Sequence, residues 1–342
     1  MKGLYPILIA CVLLAAILAA GIGAVQISPL QILGMIFHKI GFDLGIHYNE
    51  MQETVFWVIR LPRVLLAVLI GATLAVCGVG MQGLFRNPLA DPGLIGIGSG
   101  ASLAAVITLV LGTSLLGGLS GQYTLNVMAF LGALASMIAV YRISRQEGKT
   151  NVAIMLLAGI AVNAMAGALT GLVTISANEQ QLRSITFWSM GSLGGASWSN
   201  VLGILPFCAL SIIGMPFFAK SLNALSLGES DAGHLGIRTE RLKNSVMYLC
   251  AIGVGACVAV SGIIVFVGLV VPHILRMTAG PDHKKLIGAS ALGGAALLTL
   301  ADLVSRTIAA PVEIPIGIIT SVVGGPFFLY LLMKEKKKQS LI

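Results

Sequence analysis

Charge is what this chain of 342 residues lacks most. Asp, Glu, Lys and Arg make up 10% of it, against 57% hydrophobic residues. Soluble domains carry about 25% charged residues, so a water-soluble globule is excluded. Cysteine is scarce too. Cys11, Cys77, Cys208, Cys250 and Cys257 all lie in apolar runs and none forms CxxC, so they read as small buried hydrophobes. The five histidines are scattered at 38, 47, 234, 273 and 283, without metal-ligand spacing. No GxSxG, HExxH or GxGxxG fingerprint opens a route to an enzyme. Gly148-Lys149-Thr150 looks like the end of a phosphate loop, but the pattern needs glycine at 143, where Ile143 stands. Any ATP used must therefore bind another chain. The net charge is +8. No basic cluster is interleaved with aromatics, which argues against nucleic acid.

What the chain has is apolar length. Hydrophobic segments fall at about 4–26, 62–84, 93–112, 123–141, 152–174, 199–219, 244–264, 266–278, 286–304 and 314–333. Runs of about 20 residues cross a membrane as helices rather than barrel strands. The expected fold is an all-α polytopic membrane protein with about ten transmembrane helices. The first run resembles a signal peptide but is longer than a usual signal core, and reads as a span. The eighth is too short to cross straight and carries Pro272, so a short or broken helix is expected.

Ten spans put both termini on one side. With cytoplasmic termini, the inner side collects Lys2, Arg86, Arg142, Arg145, Lys149, Lys220, Arg238, Arg241, Lys243, Arg276, Lys284, Lys285, Lys334, Lys336, Lys337 and Lys338. The outer side keeps Lys39, Arg60, Arg63, Arg183 and Arg306, so 16 of the 21 basic residues lie inside. The excess of positive charge on cytoplasmic loops supports this orientation. No segment is long enough for a soluble domain, so residues 1–342 read as one transmembrane domain with an inner loop at about 220–243. Gly117–Gly121 and Gly167–Gly171 have GxxxG spacing, which reads as tight helix packing.

Four stretches stand out. Arg60-Leu-Pro-Arg63 lies at an outer helix end, with Pro62 near the helix start. Its arginines face one way, either anchoring in lipid headgroups or docking acidic groups of an extracytoplasmic partner. In RNPLADPGLIGIGSG, residues 86–100, Pro88 and Pro92 hold Asn87 and Asp91 out of helical geometry. Asp91 can cap the next helix, and the glycines give it a surface without bulk, suited to a pore wall or a close helix contact. The inner loop 226–243 resembles two small helices broken by glycine, either a solvated connector or a docking element for a cytoplasmic motor. In ADLVSRTIAAPVEIPIG, residues 301–317, Asp302 and Arg306 stand four apart. They suit an ion pair, or a relay in a proton-coupled secondary transporter. Glu313 lies near an outer helix end.

Taken in order, RLPR…QGLFRNPLADPGLIGIGSGA, LGESDAGHLGI, SGIIVFVGLVVPHILR, GPDH and EIPIGIITSVVGGPFF resemble the permease family of ABC importers for iron chelates and cobalamin. The resemblance covers nearly the whole chain. It implies type II importer architecture in the bacterial inner membrane and a homodimer around a central path. It further implies two cytoplasmic ATPase subunits that bind ATP and Mg, an extracytoplasmic substrate-binding protein, and no cofactor on this chain. Arg60, Arg63 and Arg306 match the arginines that meet the binding protein. Leu227, Gly228, Glu229, Ser230, Asp231, Ala232, Gly233, His234, Leu235 and Gly236 match the loop that sits on the ATPase. Asn87 and Leu89, and more loosely Thr150 and Asn151, match the region of the cytoplasmic gate. LLAGIAVNAMAGALTG (156–171) and QQLRSITFWSMGSLGGASW (180–198) look most like haem importers. Ferric siderophores and cobalamin are the alternative cargoes. His38 or His47 could meet haem iron outside, though a lone loop histidine is ordinarily just solvated.

Overall fold

The computed structural model describes residues 3–115 and 121–339. Lys2 and Gly117 lie outside them. The chain runs through α1 (Leu4–Gly21), α2 (Pro29–Lys39), α3 (Glu50–Thr54), α4 (Leu61–Phe85), α5 (Ile97–Leu115), α6 (Gln122–Ser144), α7 (Val152–Thr174) and α8 (Glu179–Ser189). It continues through α9 (Trp198–Gly214), α10 (Ala219–Leu225), α11 (Glu229–His234), α12 (Thr239–Ser261), α13 (Val267–Ala279), α14 (His283–Thr307) and α15 (Ile316–Gln339). Among the described residues, seven helical stretches are long and apolar enough to cross a membrane, and three shorter apolar helices join them at Ile97–Gly112, Val267–Ala279 and Ile316–Leu331. These are the ten expected segments. The short eighth one is α13, with Pro272 inside it.

The all-α expectation misses one detail. Two-residue strands β1 (Arg145–Gln146) and β2 (Lys149–Thr150) pair antiparallel between α6 and α7. Glu147 and Gly148 both have positive φ, 48° and 80°, as a tight two-residue hairpin turn requires. The stretch Gly148–Thr150 is thus half of a hairpin.

Helix α4 is buried along nearly its whole length and forms the axis of the bundle. It is apolar all round, which suits a helix with no lipid face. It packs lengthwise on α14, and the pair touch backbone to backbone. A Cβ placed on Gly71 would stand 2.2 Å from the Gly294 carbonyl oxygen. The start of the second span corrects the expectation for Pro62. The helix begins at Glu50, so Pro62 lies inside a continuous stretch that ends at Phe85. A π-helical turn, Val55–Arg60, immediately precedes it. Proline offers no N–H and crowds the carbonyl four residues back, and a widened turn absorbs both.

Gly167 and Gly171 overturn the packing expectation within the chain. A Cβ on either meets nothing within 4 Å, and both are exposed. Cys77, Cys208, Cys250 and Cys257 are buried as expected, but Cys11 is exposed on α1, whose sequence is apolar on every side.

Candidate functional site: ionic clusters at the two ends of the bundle

The bundle buries charge at both ends. One end is built around the close of α1, the start of α4 and the close of α14. Helix α1 ends at Gly21, leaving its last carbonyls without helical partners. Arg60 takes them up. Its Nη1 donates to the Ala20 oxygen at 2.6 Å and the Gly21 oxygen at 2.7 Å, and its Nη2 donates to the Val25 oxygen. Arg306 does the same from α14, donating to the Ile22 oxygen at 2.8 Å and to the Ala19 oxygen. Positive groups are favourable against a helix C-terminus.

Arg63, one turn along, meets acids instead. Its Nε lies 3.0 and 3.1 Å from the two Asp302 oxygens. Its Nη1 and Nη2 grip Glu313 through both oxygens, at 2.8 and 3.1 Å. A planar guanidinium fits such a two-pronged grip, which an ammonium could not reproduce. The expected Asp302–Arg306 pair is present at 3.6 Å, but Arg63 is the closer partner of Asp302. Sequence reasoning missed the role of Glu313 because 250 residues separate it from Arg63. The three arginines and both acids line one cavity of about 700 Å³. Arg60 and Arg63 are only 5% and 8% exposed, so their charges are answered from within this chain.

The opposite end gathers residues 86–91, the hairpin and α10–α11. Arg86 closes α4 in the left-handed conformation. Asn87 Oδ1 accepts from the Leu89 N–H at 2.9 Å, and Asp91 Oδ1 accepts from the Gly93 N–H at 2.8 Å. Asp91 therefore caps as expected, although the element it starts is a 3-10 turn, Pro92–Ile95, ahead of α5. The glycines that follow serve a close helix contact. A Cβ on Gly100 would stand 2.4 Å from the Gly132 oxygen of α6. Leu94 is pressed on Gly159 of α7, where a Cβ would stand 1.9 Å from its carbonyl.

Thr150, Asn151 and Glu229 share a polar cavity of about 980 Å³ with Arg86 and Lys149. Asn87 is exposed and Leu89 half-buried on the adjoining turn, and neither lines that cavity. Asn151 caps α7, accepting from the Ala153 and Ile154 N–H groups. The inner loop 226–243 holds one short helix, α11, rather than the two expected there, because α10 ends at Leu225 and α12 already begins at Thr239. Gly228 and Gly236, with φ of 139° and 80°, bracket α11. Leu222, Leu225 and Ala232 turn inward, while Leu227 and Leu235 stand exposed.

Lys243, in the first turns of α12, is the residue the sequence hid. It is 1% exposed. Its Nζ donates to Glu229 Oε1 at 2.6 Å, Glu240 Oε1 at 3.0 Å and the Thr150 carbonyl at 2.9 Å. The only signal was the acid-first spacing of Glu240 and Lys243, a weak one.

Seven long apolar helices and three shorter ones among the described residues, with ionic clusters at both ends of the bundle, define a multi-pass membrane protein. The chain belongs to the FecCD transport family, which it matches over residues 9–334. It is 48% identical to the hemin transport system permease protein HmuU of Yersinia pestis, over 85% of this chain and 87% of that one. It is 41% identical to YvrB of Bacillus subtilis, an uncharacterized ABC transporter permease, over 90% and 87% of the two chains. It is 39% identical to the cobalamin import system permease BtuC of Halobacterium salinarum, over 83% and 74%. A solved metal-chelate type ABC transporter in an inward-facing conformation superposes with a TM-score of 0.84 at 31% identity, covering 97% of this chain and 99% of that one. The chain is thus an ABC importer permease of that family.

Proposed function

We propose that this permease carries haem across the bacterial inner membrane. The observation that carries the reading is the 48% identity to a hemin permease, against 39% to a cobalamin permease over a similar span. Residues 1–342 act as one transmembrane domain, with both termini cytoplasmic. The 16-to-5 distribution of basic residues supports that orientation. The chain works as a homodimer. Support comes from α7, where nothing fills the space beside Gly167 and Gly171 and where Leu157, Ile160 and Leu169 are exposed. Two ATPase subunits bind ATP and Mg and dock on residues 227–236, where exposed Leu227 and Leu235 offer apolar contacts. Closing of the ATPase pair moves that loop and resets a gate at Asn87, Leu89, Thr150 and Asn151.

At the other end an extracytoplasmic binding protein docks near Arg60, Arg63 and Arg306. Three guanidinium groups against two carboxylates leave that cavity net positive, which favours an acidic partner. Because the arginines are paired internally, docking exchanges one set of partners for another. The proton-coupled alternative loses ground. Asp302 is clamped between Arg63 and Arg306 at one end of the bundle, an arrangement that braces rather than relays.

The test is uptake by a strain lacking this chain, offered labelled haem, a ferric siderophore and cobalamin in turn. Loss of haem uptake alone is expected. Loss of siderophore or cobalamin uptake with haem uptake intact overturns the cargo and keeps the permease.

A further inference from the structure

Lys243 is 1% exposed, with its ammonium turned into the protein. An ammonium has three donors and no more. Here all three are used, and each goes to a different segment. Glu229 opens α11, Glu240 sits in the first turn of α12, and Thr150 ends the hairpin next to Asn151. Glu240 completes the grip. Its second oxygen accepts the Thr150 N–H at 2.8 Å. The backbone of Thr150 is therefore held on both sides, its N–H by Glu240 and its carbonyl by Lys243. These two backbone bonds tie the turn to α12. Helix α12 is itself anchored, with its inward face buried from Leu242 to Ser261.

We propose that Lys243 is the positioning residue that links the motor-facing helix α11 to the turn at Thr150–Asn151, by holding Glu229 and the Thr150 carbonyl with one ammonium group. The link rests on the reading that residues 227–236 dock the ATPase and that Thr150 and Asn151 belong to the gate. It works because the donors are shared. Helix α11 has six residues between two glycines of positive φ, so it can move as a unit. When it shifts, Glu229 either draws the ammonium off the Thr150 carbonyl or releases it. Either change alters how the turn is held, with no displacement of α12. Stability alone does not call for such a group. A buried ion pair rarely improves on apolar packing of the same shape, whereas it does select one arrangement over others.

The test uses the complete complex of permease and ATPase reconstituted in liposomes. Ala153 is exposed and lines the same cavity, so Ala153→Cys reports on the turn through its rate of reaction with a polar maleimide. The background carries Cys11→Ala, the remaining cysteines being buried. ATP hydrolysis is measured alongside. In the parent complex, labelling differs between nucleotide-free and ATP–vanadate states. In Lys243→Met, hydrolysis is retained while the nucleotide-dependent change in labelling falls by about tenfold, within the range of ordinary coupling energies. This variant is expected to fold, because Glu229 and Glu240, 42% and 29% exposed at their side chains, can take up water. Glu229→Ala, which cuts the link and leaves Lys243 two acceptors, lowers the labelling response per ATP hydrolysed. A Lys243→Met complex that responds like its parent overturns the link alone. So does one in which hydrolysis and response fall in parallel. A parent complex whose labelling ignores nucleotide overturns the reading of Thr150 and Asn151 as gate residues, and the link with it.

Discussion

The two ends of this bundle bury positive charge in different ways. At the α1–α14 end, three arginines share the load. They reach five backbone carbonyls and two carboxylates, and several of these contacts tie residues more than 200 positions apart. Loss of any single contact leaves others. At the hairpin end a single ammonium holds three acceptors, two of them on segments that are short or turn-bound. The first arrangement is a brace and the second a joint. Arginine suits the brace, because its rigid fork fixes several partners at once, and lysine suits the joint, because its donors turn freely about a flexible stem.

The hardest test of the brace removes its central acid. Asp302→Ala leaves Arg63 buried with only Glu313, and unfolding in mixed micelles should show a loss of about 3–5 kcal/mol, the usual cost of breaking a buried pair from one side. Arg63→Met combined with Asp302→Leu should recover most of that loss. A loss under about 1 kcal/mol in the single variant, the value of an exposed pair, would mean that water reaches the cluster and that it braces nothing.

Next in size is a wedge between the ends. Gly159→Val drives a branched side chain at the Leu94 carbonyl, which would stand 1.9 Å from even a Cβ. Overpacking of this kind costs about 1–3 kcal/mol. It should also shift the Pro92–Ile95 turn, seen as faster amide exchange at Gly93 and Leu94. An unchanged exchange rate would show that the turn is fixed by Asp91 and not by packing.

At the joint, Asn151→Ala removes the cap of α7 and should cost about 1 kcal/mol. Its effect should stay local, with amides 150–155 exchanging faster and those of α4 unchanged. Spread of the effect to α4 would erase the distinction between joint and brace.

How far the sequence foretold these features follows from the range of the forces involved. Ten apolar segments were legible because bilayer thickness sets their length and every residue reports on it. Asp91 was legible as a cap because a cap acts within three residues. Asp302–Arg306 was legible as an i,i+4 pair, yet its stronger partner, Arg63, was not, being 239 residues away. Lys243 looked like one more basic residue in a cytoplasmic loop. Only the fold brings Thr150 and Glu229 to it and turns a solvated charge into a buried one. The hairpin carried its signal in Glu147-Gly148, where two positive φ values are needed, but a charged loop of six residues gave no hydrophobic alternation to flag it. Gly167–Gly171 misled for the opposite reason. The spacing permits close packing, but which helix, or which chain, takes the offer is not written in it.

The smallest expected effect probes how the brace could meet a partner. Glu313 is 45% exposed at its side chain, while Asp302, at 2%, is sealed. Glu313→Gln should therefore cost under about 1 kcal/mol, as for pairs open to solvent, with Arg63 still held by Asp302. If an acidic binding protein docks here, its carboxylates compete with Glu313 for the Arg63 Nη atoms. Removing that competitor should tighten binding by about twofold to fivefold, the converted worth of one solvent-exposed ion pair, and more so at low salt. The change should be read as the dissociation rate of the purified binding protein from permease in nanodiscs. Weaker binding in Glu313→Gln would mean that Glu313 sets the arginines for docking rather than standing in for the partner, and the brace would then be part of the docking surface instead of its rival.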